Sequence, residues 1–260
     1  MLLAAIEWSV GPEIFSLGPL TIRWYGLLFA LSFIAGYQIM DYIFRIEKMP
    51  HKALDKLAMT LVIGTIIGAR LGHCLFYDPG YYLSNPIEIL MIWKGGLASH
   101  GAAIGNLLAV WFFTQSRKDI SYMWVMDRTV IVVALAAFFI RMGNFFNSEI
   151  LGVPADVPWA VIFTRVDDTP RHPAQLYEAF TYLLIFAYLI IYYLKRKSGL
   201  MQGKLFGLFL TLVFTARFII EFVKERQVDF ELGLPLDMGQ LLSIPFILIG
   251  LYFLFVYKKK

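Results

Sequence analysis

Long apolar runs separated by short polar stretches set the pattern of this chain. Seven runs approach the ~20 residues that a bilayer-crossing helix needs. They are Leu20–Phe44, Leu57–Phe76, Leu97–Phe113, Met123–Phe145, Ala174–Leu194, Lys204–Val223 and Met238–Tyr257. Ser99, His100 and Asn106 dilute the third. Asn85–Trp93 is too short to span and suits the membrane interface. No repeat of helical-repeat length and no low-complexity linker interrupts the pattern. It predicts an all-α polytopic membrane protein with seven transmembrane helices in one integral membrane domain, residues 1–260.

Composition agrees with that reading. Hydrophobic residues make up 59% of the chain and charged residues only 16%, where soluble domains carry about 25%. The basic residues then set the orientation. Arg45, Lys48, Lys52 and Lys56 follow the first run, and Arg117 and Lys118 follow the third. Lys195, Arg196, Lys197 and Lys204 follow the fifth, and Lys258, Lys259 and Lys260 close the chain. These clusters occupy alternate loops, so one side holds them all, and the positive-inside rule makes it cytoplasmic. The N-terminus is then outside and the C-terminus cytoplasmic, with loops Asn147–Pro173 and Glu225–Leu236 outside. A net charge of +4 follows from the same loops and calls for no nucleic acid partner. Cys74 is the sole cysteine, so no intrachain disulfide forms. Met1–Phe15 lacks a basic start and carries Glu7 and Glu13, unlike a cleavable signal peptide.

Polar clusters gather toward the outer ends of the runs. The run Arg141-Met142-Gly143-Asn144-Phe145-Phe146-Asn147-Ser148-Glu149-Ile150-Leu151-Gly152 puts an arginine, two asparagines and a glutamate at the end of an apolar stretch. Charges at membrane depth cost roughly 2.5–3.5 kcal/mol each, so they face cavities and mark function, unless they merely cap a helix end. Arg141 and Asn144 share a helical face, and Gly143 and Gly152 permit close backbone approach. Arg217 and Glu221 are spaced to pair on one helix face. They read either as a structural ion pair or as an anion site, since a guanidinium fork meets phosphate oxygens bidentately. His100 is either a packed histidine or a proton acceptor. Beside it, Gly101 and Gly105 would let another helix or a lipid chain come close. Gly64, Gly68 and Gly72 read as a helix-packing face. Arg70 on that helix needs a partner or a path to the interface. Arg23-Trp24-Tyr25-Gly26 fits an interfacial aromatic belt. Gln175 and Glu178, just after His172-Pro173, point one face toward the polar centre. Walker A, dinucleotide-turn, His-Glu-x-x-His, paired-cysteine and Gly-x-Ser-x-Gly patterns are all absent, so neither a metal nor a cofactor is expected.

Taken together, these segments resemble the prolipoprotein diacylglyceryl transferase family. Its signature, roughly Arg-x-Gly-Asn-Phe-x-Asn-x-Glu-x-x-Gly, is filled by Arg141, Gly143, Asn144, Phe145, Asn147, Glu149 and Gly152. The segments Arg23–Gly26, His172–Glu178, Arg217–Phe222 and Met238–Gln240 are similar as well, in family order. Two departures stand out: Ala98-Ser99-His100-Gly101-Ala102 where the family often has Ser-Phe-His-Gly-Gly, and Lys224 where it often has arginine.

The resemblance implies a bacterial inner-membrane enzyme with its active site toward the periplasm. It would transfer the sn-1,2-diacylglyceryl group of phosphatidylglycerol to the lipobox cysteine of preprolipoproteins, releasing glycerol-1-phosphate. Arg141 and Arg217 would hold the phosphate, His100 would act as base, and Glu221 would support Arg217. Tyr25, Asn144, Asn147 and Glu149 would position the headgroup, with Gly152 shaping the loop. The glycine faces of the second and third runs would admit acyl chains. A lipid transporter should show repeat symmetry or broken helices, and an intramembrane protease a serine–histidine or paired-aspartate arrangement. Neither pattern is present.

Overall fold

The computed structural model describes residues 5–18, 20–117, 119–226 and 235–257. Lys118 and Lys258–Lys260 of the basic clusters, and much of the Glu225–Leu236 loop, lie outside the described residues. The chain is mainly helical: α1 Trp24–Ile46, α2 His51–Phe76, α3 Pro79–Ser84, α4 Ser99–Gln115, α5 Tyr122–Asn147, α6 Ala174–Arg196, α7 Lys204–Glu221 and α8 Met238–Phe255. Each of the seven apolar runs holds one long helix. Five of these, α1, α2, α5, α6 and α8, are long and apolar enough to cross a membrane. The other two fall short of that standard for visible reasons. Helix α4 has 17 residues, and α7 carries Lys204, Arg217 and Glu221.

The first run begins differently from its hydropathy. Glu13–Leu17 (β2) and Leu20–Arg23 (β3) form an antiparallel hairpin, and the helix starts only at Trp24, whose amide donates to Pro12 O at 2.9 Å. Thr21 and Ile22 are β-branched and suit a strand, while Gly18 takes the positive φ of 60° that the turn needs. A second small sheet pairs Ile6–Trp8 (β1) in parallel with Val161–Phe163 (β4), which pairs antiparallel with Pro170–Arg171 (β5). Trp8 packs there on the buried cluster of Phe145, Leu151, Val161 and Phe163. These strands are too short for period-two alternation to reveal them.

Two compact units are present: Met1–Met40 with Asp127–Lys260, and Asp41–Met126. In the Asp41–Met126 unit, α2 and α4 meet glycine to glycine. A Cβ on Gly72 would stand 2.6 Å from Gly101 Cα, and one on Gly68 would stand 2.8 Å from Gly105 Cα. The packing role read for Gly64, Gly68 and Gly72 therefore holds. The expectation that these faces admit acyl chains is corrected: each face is filled by the other helix's backbone. Asn106 Nδ2 donates to Thr65 Oγ1 at 3.0 Å across the same seam, which explains a polar residue inside α4.

In the other unit, the Asp127 carboxylate accepts amides of Gly203 at 2.7 Å and Phe206 at 2.9 Å. It satisfies donors at the N-terminal end of α7 that have no partner inside the helix. Helices α7 and α8 approach through Gly207 and Gly250, and Phe214 stacks on Phe246 at 4.4 Å. Helix α8 opens with a capping box formed by Asp237 and Gln240.

Candidate active site

A buried polar cluster forms where the end of α5, the start of α6 and the chain leaving α7 come together. Helix α5 delivers Arg141 and Asn144 on one face. Arg141 Nη1 donates to Asn144 Oδ1 at 3.2 Å. Asn144 Nδ2 donates onward to Glu149 Oε2 at 3.2 Å, and Asn147 Nδ2 to Glu149 Oε1 at 3.1 Å. Glu149 is turned back over the helix end by left-handed backbone on either side, Ser148 at φ 55° and Ile150 at φ 57°. A β-branched residue in that region is strained, and such strain collects at functional sites. The fully buried Gln175 holds the turn by donating Nε2 to Glu149 O at 2.6 Å.

Glu178 is the centre of the cluster and has no exposed surface. Arg141 Nε stands 2.9 Å from its Oε2. That approach pairs the charges without the alignment of a hydrogen bond. Its Oε1 accepts the Tyr182 hydroxyl at 3.3 Å and has Lys224 Nζ at 3.9 Å. Lys224 also donates to Glu221 Oε2 at 3.0 Å. The expected Arg217–Glu221 pair is thus corrected. Helix α7 ends at Glu221, and the turn beyond it folds Lys224 back, with its amide on Glu221 O at 3.1 Å. Gly239 makes room for this carboxylate, since any side chain there would collide with it.

Arg217 is left differently placed. Its Nε is buried and has no hydrogen-bond partner among the described residues. The Tyr182 hydroxyl donates to Glu178 Oε1, the carboxylate that also pairs with Arg141. The Tyr25 hydroxyl lies in the field of Glu149 and Arg141. Its ring fills the space a Gly143 side chain would take, with Cδ2 2.7 Å from that Cβ position. Trp24 stacks on Phe146 at 4.6 Å. Trp24 and Tyr25 therefore pack onto α5, a contact the aromatic-belt reading did not anticipate.

Gly152 sits where three extended segments meet. Its amide donates to His172 O at 3.2 Å, it bridges to Lys224, and an added Cβ would stand 2.8 Å from Val223 O. Arg171 buttresses this layer through Asp167 Oδ2 at 2.6 Å, Glu225 Oε2 at 3.2 Å and Gly152 O at 3.4 Å. The Arg171 guanidinium, and then the Thr169 amide, hold the Asp167 carboxyl below its ordinary value of 3.8.

Of the residues expected at the site, Tyr25, Arg141, Asn144, Asn147, Glu149, Gly152, Arg217 and Glu221 all belong to this unit. His100 belongs to the Asp41–Met126 unit. There it is exposed, with its ring edge-on to Phe76 at 5.1 Å and tilted against Tyr77 at 5.9 Å. Sequence reasoning placed Gln175 and Glu178 on the right face without giving them a role, named Gln240 only as part of a similar segment, and passed over Tyr182 and Arg171. Tyr182 was within reach, being one helical turn beyond Glu178 on the same face. Lys224 entered only as a departure from a pattern. Among the described residues no His, Cys, Asp and Glu group of metal-binding size occurs. What the cluster offers instead is fixed positive charge beside oriented amides, suited to an anion.

The family model described as prolipoprotein diacylglyceryl transferase matches residues 12–256. Proteins named phosphatidylglycerol--prolipoprotein diacylglyceryl transferase are similar along nearly the full length. The protein of Chloroherpeton thalassium is 52% identical over 98% of this chain and 95% of its own. That of Tolumonas auensis is 50% identical over 97% of this chain and 98% of its own. That of Bacteroides fragilis is 45% identical over 100% of this chain and 98% of its own.

Proposed function

This chain belongs to the prolipoprotein diacylglyceryl transferase family, and on that premise we propose that it transfers the sn-1,2-diacylglyceryl group of phosphatidylglycerol to the lipobox cysteine of a preprolipoprotein. The sulfur of the substrate cysteine bonds to the glycerol carbon that carries the phosphate. The carbon–oxygen bond to phosphate breaks, and glycerol-1-phosphate departs with the electron pair. The thiol has an ordinary pKa near ~8.5, so loss of its proton favours attack. The leaving phosphate gathers negative charge, which fixed cations stabilise.

The observation that carries this reading is the buried Arg217 Nε with no hydrogen-bond partner among the described residues, in the unit where Arg141 is paired with the fully buried Glu178. Arg141 and Arg217 grip the phosphate. Glu178 holds Arg141 from behind through Nε, leaving Nη2 for the ligand, and Glu221 with Lys224 lines the same cluster. Tyr25, Asn144, Asn147 and Glu149 position the headgroup glycerol, and Gly152 shapes the loop by letting the segments of His172 and Val223 pack against it. His100 takes the thiol proton. The enzyme crosses the bacterial inner membrane seven times as one integral domain, with its N-terminus outside, its C-terminus cytoplasmic and this cluster facing the periplasm. Its partners are phosphatidylglycerol, preprolipoproteins and the bilayer itself.

Purified protein incubated with labelled phosphatidylglycerol and a lipobox peptide should give a thioether-linked product and free glycerol-1-phosphate. Lipid movement without product would contradict the assignment. Near-full turnover of His100→Gln at neutral pH would remove the histidine from its role.

A further inference from the structure

Between α2 and α4 the chain runs through α3 and two 3-10 turns, Pro86–Leu90 and Ile92–Lys94, none of which crosses a membrane. Its apolar side chains face outward. Leu90 is 72% exposed and Trp93 76%, with Tyr81, Leu83, Ile87 and Leu97 exposed beside them. This surface continues onto α2, where Leu71, Leu75 and Phe76 are exposed as well. An arm of this composition in water would be unfavourable, because large apolar side chains left exposed forgo the free energy of burial. In lipid it faces the opposite difficulty. Irregular backbone leaves carbonyls unpaired, and unpaired polar groups cost several kcal/mol in hydrocarbon.

Arg70 meets that difficulty. It is buried on α2 and donates Nε to Ile89 O at 2.9 Å, Nη1 to Gly95 O at 2.7 Å and Gly96 O at 3.2 Å, and Nη2 to Glu88 O. Its guanidinium also lies over the Tyr82 ring at 5.0 Å. Gly95 at φ 85° and Gly96 at φ 73° turn their carbonyls inward, and a Cβ on Gly96 would stand 2.9 Å from Arg70 Nη1. Lys94 Nζ lies 3.1 Å from Glu88 Oε1, and Asp78 caps α3 by accepting the Tyr81 amide at 3.3 Å. The arm therefore carries apolar side chains outside and, on its inner side, four backbone carbonyls held by Arg70.

We propose that residues 78–97 form an arm seated in the lipid headgroup and upper acyl layer, and that Arg70 makes irregular backbone tolerable there by occupying four of its carbonyls. The occupant of this surface is lipid rather than protein, because the surface is continuous with the exposed apolar face of α2, its one lysine is paired with Glu88, and Asp78 caps α3 at the edge of the arm. The claim rests on α2 and α4 crossing the bilayer and not on the reaction assigned above.

The test uses the full chain with Cys74→Ser and single spin labels at Leu90→Cys or Trp93→Cys, reconstituted in phosphatidylethanolamine–phosphatidylglycerol vesicles. Collision with apolar oxygen should exceed collision with a water-soluble nickel chelate at both positions. Adding Arg70→Lys, which keeps the charge but loses the planar fork, should reverse that ratio. Labels that meet the nickel reagent more than oxygen overturn the proposal, as do labels shielded from both, which would mark a protein partner. An unchanged ratio in Arg70→Lys would overturn the part assigned to the arginine. If that variant fails to assemble, the two labels in the Arg70 background still decide the placement of the arm.

Discussion

Arg70 and Arg217 present the same residue type in similar apolar helices, and their surroundings separate them. Arg70 gives its guanidinium to four backbone carbonyls and an aromatic face. Arg217 keeps a buried nitrogen with no partner among the described residues. From sequence both were costly charges at membrane depth. The difference teaches that cost alone does not mark a binding site. A satisfied guanidinium is a clamp, while one with an open buried donor has a hydrogen bond still to give.

The largest expected effect that would break or sharpen this contrast comes from removing the open arginine. Arg217→Ala should lower kcat/KM by about 10²–10³, or about 2.7–4 kcal/mol, with little change in thermal melting. A variant with near-normal turnover would break the contrast. Next is the seam that Arg70's helix depends on. Gly68→Leu drives a side chain into α4 backbone and should destabilise by about 3 kcal/mol, read as a lower melting temperature in detergent. Arg70→Met should cost roughly 2 kcal/mol of stability by leaving carbonyls unpaired, while the folded fraction keeps its kcat/KM. A purely kinetic loss there would reverse the two assignments. Glu178→Gln should cost about tenfold in kcat/KM, near 1.4 kcal/mol, by loosening Arg141.

The smallest effect is acid-dependent. Asp167 has a lowered pKa in the folded chain. Its contribution is present above the ordinary carboxylate value and is lost as pH falls through the lowered one. Protection from hydrogen exchange around Arg171, taken relative to the intrinsic rate at each pH, should therefore be steady from neutral pH down to about 5 and fall only below about 4. Asp167→Asn should remove that acid step.

Much of this was legible in the chain. Apolar run length gave all seven long helices, because bilayer thickness and helical rise dictate it. Four-residue glycine spacing gave the α2–α4 seam, because only glycine lets backbones touch. Its consequence was misread, since spacing cannot tell whether a lipid chain or another helix fills the groove. The Arg141–Gly152 run named most of its own cluster because its contacts are local. Arg141 reaches Asn144, and both asparagines reach Glu149. Contacts made across the fold were out of reach. The salt bridge from Arg141 to Glu178 on α6 is one. The partners of Arg70, which come from the following arm, are another. The Glu221 pairing failed for a different reason. Arg217 and Glu221 both lie in α7, so the spacing held, but the turn beyond the helix brings Lys224 onto the carboxylate, a partner that an i, i+4 rule does not count. The strand Leu20–Arg23 escaped because apolar residues at the start of a long run look helical until a glycine turn is seen before them, and the other strands were too short for alternation to show.

The most direct test is a structure of the full chain with phosphatidylglycerol bound. The lipid phosphate should lie within hydrogen-bond distance of both Arg141 and Arg217, with Arg217 Nε or its neighbouring nitrogens newly partnered. A phosphate held elsewhere, or by one of these arginines alone, would contradict the account.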